Sequence, residues 1–304
     1  MANTQYYVNF SFIMLLMVCK AVCFSNNSRI VNLALSQSKK MSFCANLGFL
    51  FKEENNLIHR YKLAKQAGFY AVETPFPYGY EKDEVVAAKN AANINQVLIN
   101  IYTGDVSKGE LGFAAIPGKE EEFKKSMLLT IEYAKALGVQ KIHIMAGKIT
   151  GAVTSAHDTA YENNLQWAVQ LLEKEDIMGL IEPINNYSVP NYYLNSYERA
   201  VAVIKKINSS KLKLMLDIFH LQMIKGNITN SIVEMMQYVG HVQIAQAPNR
   251  HEPNSPGELD YRYILDTLAQ KGYNGWIGLE YLPQNETVEG LSWIKSFGFT
   301  LKNM

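Results

Sequence analysis

The chain has 304 residues, 48% of them apolar and 19% charged, which is enough apolar material for a large core and excludes disorder over most of its length. Twenty-nine Lys and Arg against 28 Asp and Glu leave a formal charge of +1, so there is no field of one sign to hold nucleic acid or an anionic membrane, and a small-molecule partner is expected. Three cysteines, Cys19, Cys23 and Cys44, are too few and too bunched for a disulfide framework or a structural zinc site, and they suit a reduced, cytoplasmic setting.

The first forty residues differ from those that follow. Residues 1–19 carry no charged side chain, and Phe10–Cys19 is almost wholly apolar before Lys20 interrupts it. A stable membrane span is not expected, because that run falls short of the roughly 20 apolar residues a span requires. Secretion is the alternative to a cytoplasmic location: Ala21 and Cys23 are small enough for a cleavage site, but the Lys or Arg that usually precedes the apolar run is missing. Residues 24–40 turn polar and rich in Asn and Ser, with no lasting period, as in a linker. The expectation is a leader over 1–40 and one folded domain over 41–304.

From Met41 onward, short β-type runs alternate with longer amphipathic stretches. The predicted strands are SFCANL (42–47), YAVE (70–73), QVLIN (96–100), KIHIM (141–145), GLIEP (179–183), KLMLD (213–217), HVQIA (241–245) and WIGLE (276–280). Between them the helical period is clear: Phe123, Met127, Ile131, Ala134 and Leu137 form one apolar stripe, and Gly138 stands where a helix end favours a left-handed residue. Gly68 plays the same part after the first helix. Continuous rather than alternating apolar strands indicate burial on both faces, as in a parallel sheet covered by helices. Eight such units over 41–304 predict a closed (β/α)8 TIM barrel, whose usual size is about 250 residues. A doubly wound open sheet is disfavoured, since no GxGxxG follows the first strand and no phosphate-binding loop occurs.

In a barrel of this kind the chemistry gathers at the C-terminal ends of the strands. Glu182, Asp217, Gln243 and Glu280 are polar residues closing or lying within the fifth to eighth apolar strands, which are neighbours around the ring. Each alone has an ordinary explanation as a strand-end charge paired with a loop Lys or Arg. Together, three ionised carboxylates in one barrel mouth repel one another and must be paired, protonated or ligated. A divalent cation offsets that repulsion, and an all-oxygen donor set suits Mg²⁺ or Mn²⁺ rather than zinc. His220, three residues after Asp217, is a candidate to hydrogen-bond a substrate oxygen. Arg250, in the loop after the seventh strand, has the planar fork that a substrate carboxylate needs, with Lys148 as the alternative. Lys108 reads as a solvated loop charge, His143 and His241 as structural residues of buried strands, and Glu73 as a carboxylate set behind the other four.

Several longer segments carry a family resemblance: SFCANLGFLF (42–51), GDVSKGELGFAAIPG (104–118), KIHIMAG (141–147), LIEPIN (180–185), LDIFHLQMIKGNIT (216–229), GHVQIAQAPNRHEPNSPGEL (240–259) and GLEYLPQNETVEGLSWI (278–294). From about Phe43 to about Ser296 the chain resembles the hydroxypyruvate isomerases of the xylose-isomerase-like barrels. The resemblance implies a metal held by Glu182, Asp217, Gln243 and Glu280, with Glu182 and Glu280 as the catalytic pair. It also implies interconversion of hydroxypyruvate and 2-hydroxy-3-oxopropanoate (tartronate semialdehyde) through an enediolate. The related ketose 3-epimerases carry His where this chain has Gln243, which favours the isomerase branch. A ketose isomerase or 3-epimerase is the runner-up within enzymes, and a barrel that binds without turnover is the alternative outside them. A metal-dependent nuclease finds little support in the near-zero charge.

Overall fold

The computed structural model describes residues 41–301, so the leader expected over residues 1–40 lies outside the described residues. Eight parallel strands pair in chain order, and the last returns to the first to close a barrel. They are β1 (Ser42–Asn46), β2 (Ala71–Thr74), β3 (Asn95–Asn100), β4 (Lys141–His143), β5 (Met178–Ile181), β6 (Leu212–Asp217), β7 (Val239–Ile244) and β8 (Trp276–Leu279). All eight predicted strands form, with ends shifted by a residue or two. The shortest is β4, which leaves the ladder after His143, although the amide of Ile144 still donates to the Leu180 carbonyl at 2.7 Å.

The main outer helices are α1 (Leu57–Gln66), α2 (Lys82–Ala92), α3 (Glu120–Leu137), α4 (Ser155–Lys174), α5 (Tyr197–Ile207), α6 (Ile218–Ile224), α7 (Ile228–Met235) and α8 (Tyr261–Gln270), followed by the short α9 (Thr287–Gly290) and α10 (Ser292–Ser296). Helix α3 shows how the sequence sets the packing. Its buried face holds Phe123, Met127, Ile131, Ala134 and Leu137, the stripe read from spacing alone, and three glutamates in its first turn complement the positive end of the helix dipole. Gly138 ends it at φ +70°, a left-handed conformation that glycine adopts without a Cβ clash. Each large apolar side chain so buried stabilises the fold by about 1.5–3 kcal/mol relative to exposure. No helix among the described residues is long and apolar enough to cross a membrane.

Two apolar clusters result from the alternation of side chains along the strands. The larger lies between sheet and helices and includes Phe43, Ala45, Val72, Ile99, Leu214 and Leu279. The smaller contains Cys44, Ala71, Leu98, Leu180 and Met215, which face the barrel interior, together with Val97 at the register irregularity between β2 and β3.

Candidate active site

One step further along the interior-facing series, every strand ends in a polar side chain. After Cys44, Ala71, Leu98, Leu180, Met215 and Gly278 come Asn46, Glu73, Asn100, Glu182, Asp217 and Glu280; after Lys141 and His241 come His143 and Gln243. All eight of these polar residues are buried. Period-two alternation therefore gathers a polar layer from eight separate strands, above an interior row that is apolar except for Lys141 and His241. Strand register brings Asp217 of β6 level with Gln243 of β7, and Gln243 level with Gly278 of β8.

Within this layer three carboxylates converge. The Nη2 of Arg250 donates to Glu280 Oε2 at 2.5 Å and to Asp217 Oδ2 at 3.3 Å. Asp217 Oδ1 is committed elsewhere, since it caps α6 by accepting from the amide of Phe219 at 2.8 Å. Arg250 sits at φ +59° in a loop closed by backbone bonds from its own amide to the Gln246 carbonyl and from the Leu282 amide to its carbonyl, both 2.7 Å. Its guanidinium lies over the rings of Phe49 and Phe219, with centroids 4.6 and 4.8 Å away, which supports a planar cation at low exposure.

Two histidines complete the wall. Asn185 gives its backbone amide, at 3.2 Å, and its side-chain amide, at 2.7 Å, to Nδ1 of His220. Nδ1 is thereby the acceptor, so the neutral ring carries its proton on Nε2, which lies 3.7 Å from Asp217 Oδ2 and 3.9 Å from Glu182 Oε1. That tautomer makes His220 a donor rather than a ligand. His143 Nε2 stands 3.6 Å from Glu182 Oε2. Read from sequence as structural, His143 instead lines the cavity, because it shares the inward face of β4 with Lys141.

Burial governs the ionisation of the cluster. It pushes Glu182 well above the usual carboxylate range, reinforced by Glu280 and Asp217. It takes Glu280 up to about 8 against the pull of Arg250, and it raises Asp217 in the same way. The three carboxylates titrate as a unit. The histidines move the other way: burial lowers His143 to about 3 and His220 well below its ordinary value, so both are neutral at physiological pH.

The donor set fits a hard divalent cation. Glu182 Oε1 and Gln243 Oε1 are buried oxygens without a hydrogen-bond partner, an arrangement that costs free energy in the absence of a ligand. Ligand atoms of Glu182, Asp217 and His220 lie within 4.8 Å of one another. With His220 held as a donor, the oxygens of Glu182, Asp217, Glu280 and Gln243 remain, a set that matches Mg²⁺ or Mn²⁺ chemistry. A second grouping, Cys44, Glu73 and His241, is closed by its own hydrogen bonds.

A cavity of about 450 Å³ opens over this layer. Glu182, His220, Arg250 and Glu280 line it, together with His143 and an apolar wall that includes Leu57, Phe76, Leu111, Met145 and Val189. Asp217 and Gln243 lie beneath, fully buried. Lys148 does not reach the cavity: it is exposed, and its backbone pairs with Tyr192 in an antiparallel bridge. Lys108 is an exposed residue paired with Asp105 at 3.2 Å. Sequence reasoning passed over Asn46, whose Nδ2 donates to Glu280 Oε1 at 3.0 Å, and Asn185, which sets the His220 tautomer. Asn46 closes β1 as Glu280 closes β8, so the signal was the same strand-end polarity without a charge to draw attention.

A sequence profile of the xylose isomerase-like TIM barrel matches residues 61–297. Among curated proteins, a hydroxypyruvate isomerase of Escherichia coli is 39% identical over 259 residues, covering 84% of this chain and 99% of that protein. A 2-oxo-tetronate isomerase of Cupriavidus necator is 37% identical over 256 residues, covering 84% and 98%. Among solved structures, one described as AP endonuclease, family 2, from Brucella melitensis superposes with a TM-score of 0.81 at 37% identity, covering 84% of this chain and 98% of that one.

Proposed function

This chain belongs to the xylose isomerase-like TIM-barrel family, in its hydroxypyruvate isomerase branch, and we propose that it interconverts hydroxypyruvate and 2-hydroxy-3-oxopropanoate. The observation that carries the reading is the pair Glu182 and Glu280. Both are buried, both border one cavity, and burial raises the proton affinity of both, that of Glu280 to about 8. Moving a hydrogen between adjacent carbons needs a group that takes a proton from carbon and a group that returns one, each with a pKa near the working pH. Glu182 and Glu280 are assigned those two tasks.

The other residues bind and orient. Arg250 is assigned the substrate carboxylate through Nη1, its Nε and Nη2 being held by Glu280 and Asp217, and His220 presents Nε2–H to a substrate oxygen. The apolar wall of the cavity excludes bulk water, which strengthens each of these contacts. Glu182, Asp217, Gln243 and Glu280 would hold Mg²⁺ or Mn²⁺, and the bound cation supplies Lewis-acid stabilisation of the negative charge that develops on the substrate oxygens. Free, fully buried Cys44 is compatible with a cytoplasmic setting.

The size of the cavity favours a second reading for the substrate alone. About 450 Å³ lies in the range of about 300–1,000 Å³ that encloses ligands much larger than a three-carbon acid. A longer keto acid, such as the one named for the Cupriavidus relative, or a ketose taken by a related isomerase or 3-epimerase, is accommodated by the same site. The deciding experiment is chelation of the purified protein, readdition of Mg²⁺ or Mn²⁺, and NMR analysis of products from hydroxypyruvate and a panel of longer keto acids and ketoses. Turnover of hydroxypyruvate that is lost to chelator and restored by metal supports the reading. Turnover insensitive to chelator, or confined to ketoses, overturns it.

A further inference from the structure

We propose that Glu73, buried beneath the site, is a positioning residue that fixes which end of the Gln243 amide faces the cation site and ties Asn46 to Glu280. The proposal rests on the metal-site reading above and goes beyond it to a residue that touches neither substrate nor cation.

An ionised carboxylate only accepts hydrogen bonds, and Glu73 has its acceptors filled from four sides. Its Oε2 accepts from Gln243 Nε2 at 2.9 Å and from Asn46 Nδ2 at 3.1 Å. Its Oε1 accepts from His241 Nε2 in a short contact and from Cys44 Sγ at 3.4 Å. Lys141 Nζ lies 3.4 Å from His241 Nδ1, so Nδ1 serves as the acceptor and the Nε2 proton of His241 is directed at Glu73. The barrel also leaves room for the carboxylate: a Cβ added to Gly278 of β8 would collide with Glu73 Oε1.

The consequence falls on Gln243. Its amide has one end that can ligate a cation and one that cannot. With Nε2 drawn to Glu73, the oxygen is turned away from it, and Gln243 Oε1 is one of the buried oxygens left without a hydrogen-bond partner. A flipped amide would set Oε1 against Glu73 Oε2 at the separation now held by Nε2, two acceptors in contact, and would present an NH₂ group where ligation needs an oxygen. Asn46 is caught in the same way: one Nδ2 hydrogen is held by Glu73, the other by Glu280 Oε1, while its Oδ1 accepts from the Gly48 amide at 2.9 Å. Glu73 therefore orients one proposed ligand directly and a second through Asn46.

The test is Mn²⁺ titration of the metal-free protein by calorimetry at one fixed pH, with unfolding midpoints recorded alongside. Glu73→Gln keeps the shape but offers a donor as readily as an acceptor, so Mn²⁺ affinity should fall by about 10–100-fold, the usual range for a residue that orients a metal ligand. Gln243→Glu alone sets two carboxylates against each other and should also bind weakly. The exchanged pair, Glu73→Gln with Gln243→Glu, restores one donor facing one acceptor at position 243, though not the contact with Asn46, and should bind Mn²⁺ several-fold more tightly than Gln243→Glu alone, a rescue that a merely structural role would not produce. Should Glu73→Gln alone fail to fold, comparison of the exchanged pair with Gln243→Glu decides. Wild-type affinity in Glu73→Gln, or an exchanged pair no better than Gln243→Glu, overturns the proposal and leaves the metal-site reading standing. Absence of Mn²⁺ binding by the wild-type protein overturns both.

Discussion

The raised carboxylates make a stability prediction with a definite sign. Glu280 holds its proton up to about 8 in the folded protein, against an ordinary value of 4.5 once unfolded, so between those limits the folded state binds the extra proton and stability falls as pH rises. The histidines act in the opposite sense: His143, lowered to about 3, adds stability as pH climbs to its unfolded value of 6.5 and nothing beyond. His220 and His241 are lowered by burial in the same direction. The informative window is therefore from 6.5 to about 8, above the histidines and still below the folded value of Glu280. Across that interval Glu280 alone removes about 2 kcal/mol, at about 1.4 kcal/mol per pH unit, and Glu182 adds a loss of the same sign. For a domain of this size the change corresponds to a midpoint lowered by very roughly 4–8 °C. Equilibrium urea unfolding of chelator-treated protein at closely spaced pH values measures it, and saturating Mn²⁺ should flatten or reverse the slope because only the ionised ligands bind. Stability that is constant or rising from pH 6.5 to 8 without metal would refute the reasoning.

Further outcomes follow from single side chains. Glu182→Gln and Glu280→Gln should each lose isomerisation by several orders of magnitude, while Glu280→Gln raises the metal-free unfolding midpoint at pH 8 because a buried carboxylate under strain becomes a neutral amide; steady-state assays and thermal melts check the two halves. Arg250→Ala should raise KM by roughly 10–100-fold, the worth of a charge-assisted contact. It should also shift the acid limb of the pH–rate profile upward, since Arg250 lowers both Asp217 and Glu280, and an unchanged KM would move the substrate carboxylate to another group. Phe123→Ala, at a fully buried position of α3, should cost about 3–5 kcal/mol in urea unfolding with kcat unchanged in the surviving folded protein.

The fold was legible because the strands are doubly buried and so are written as unbroken apolar runs, while the helices keep their 3.6-residue stripe. The four residues Glu182, Asp217, Gln243 and Glu280 were legible as polar breaks in those runs. What spacing could not supply was the direction of each side chain within the layer. His143 lies in an apolar strand as His241 does, yet one reaches the cavity and the other sits one interior step lower, under Glu73. Both face inward and their level separates them, since His241 precedes Gln243 by two, whereas His143 is itself the end of its interior series. Lys148 and Arg250 are both loop cations, and sequence ranks Arg250 first only for its planar fork. The loop bonds at Gln246 and Leu282 bring Arg250 inward, while the pairing of Lys148 with Tyr192 leaves its side chain in solvent. The contacts with Leu282 and Tyr192, both distant in sequence, decide where these two cations go.

The near-zero net charge of the chain takes on a different meaning at the scale of the barrel interior. Four carboxylates, Glu73, Glu182, Asp217 and Glu280, converge there, and the cationic side chains beside them are Lys141 and Arg250. The histidines are neutral, so full ionisation of the carboxylates leaves a formal excess of two negative charges. Burial raises Glu182, Asp217 and Glu280, with like charge reinforcing it at Glu182 and Glu280, so without a ligand the protein meets that excess by holding protons. A divalent cation carries the charge that closes the difference, and binding it should release protons into solution at neutral pH. Proton release on Mn²⁺ addition, measured as buffer-dependent heats, is thus expected of the same arrangement that raises the carboxylates. Glu73 alone among the four is held low, against its burial, by His241, the Gln243 amide and the Cys44 thiol, and it supplies the fixed charge against which the others are oriented.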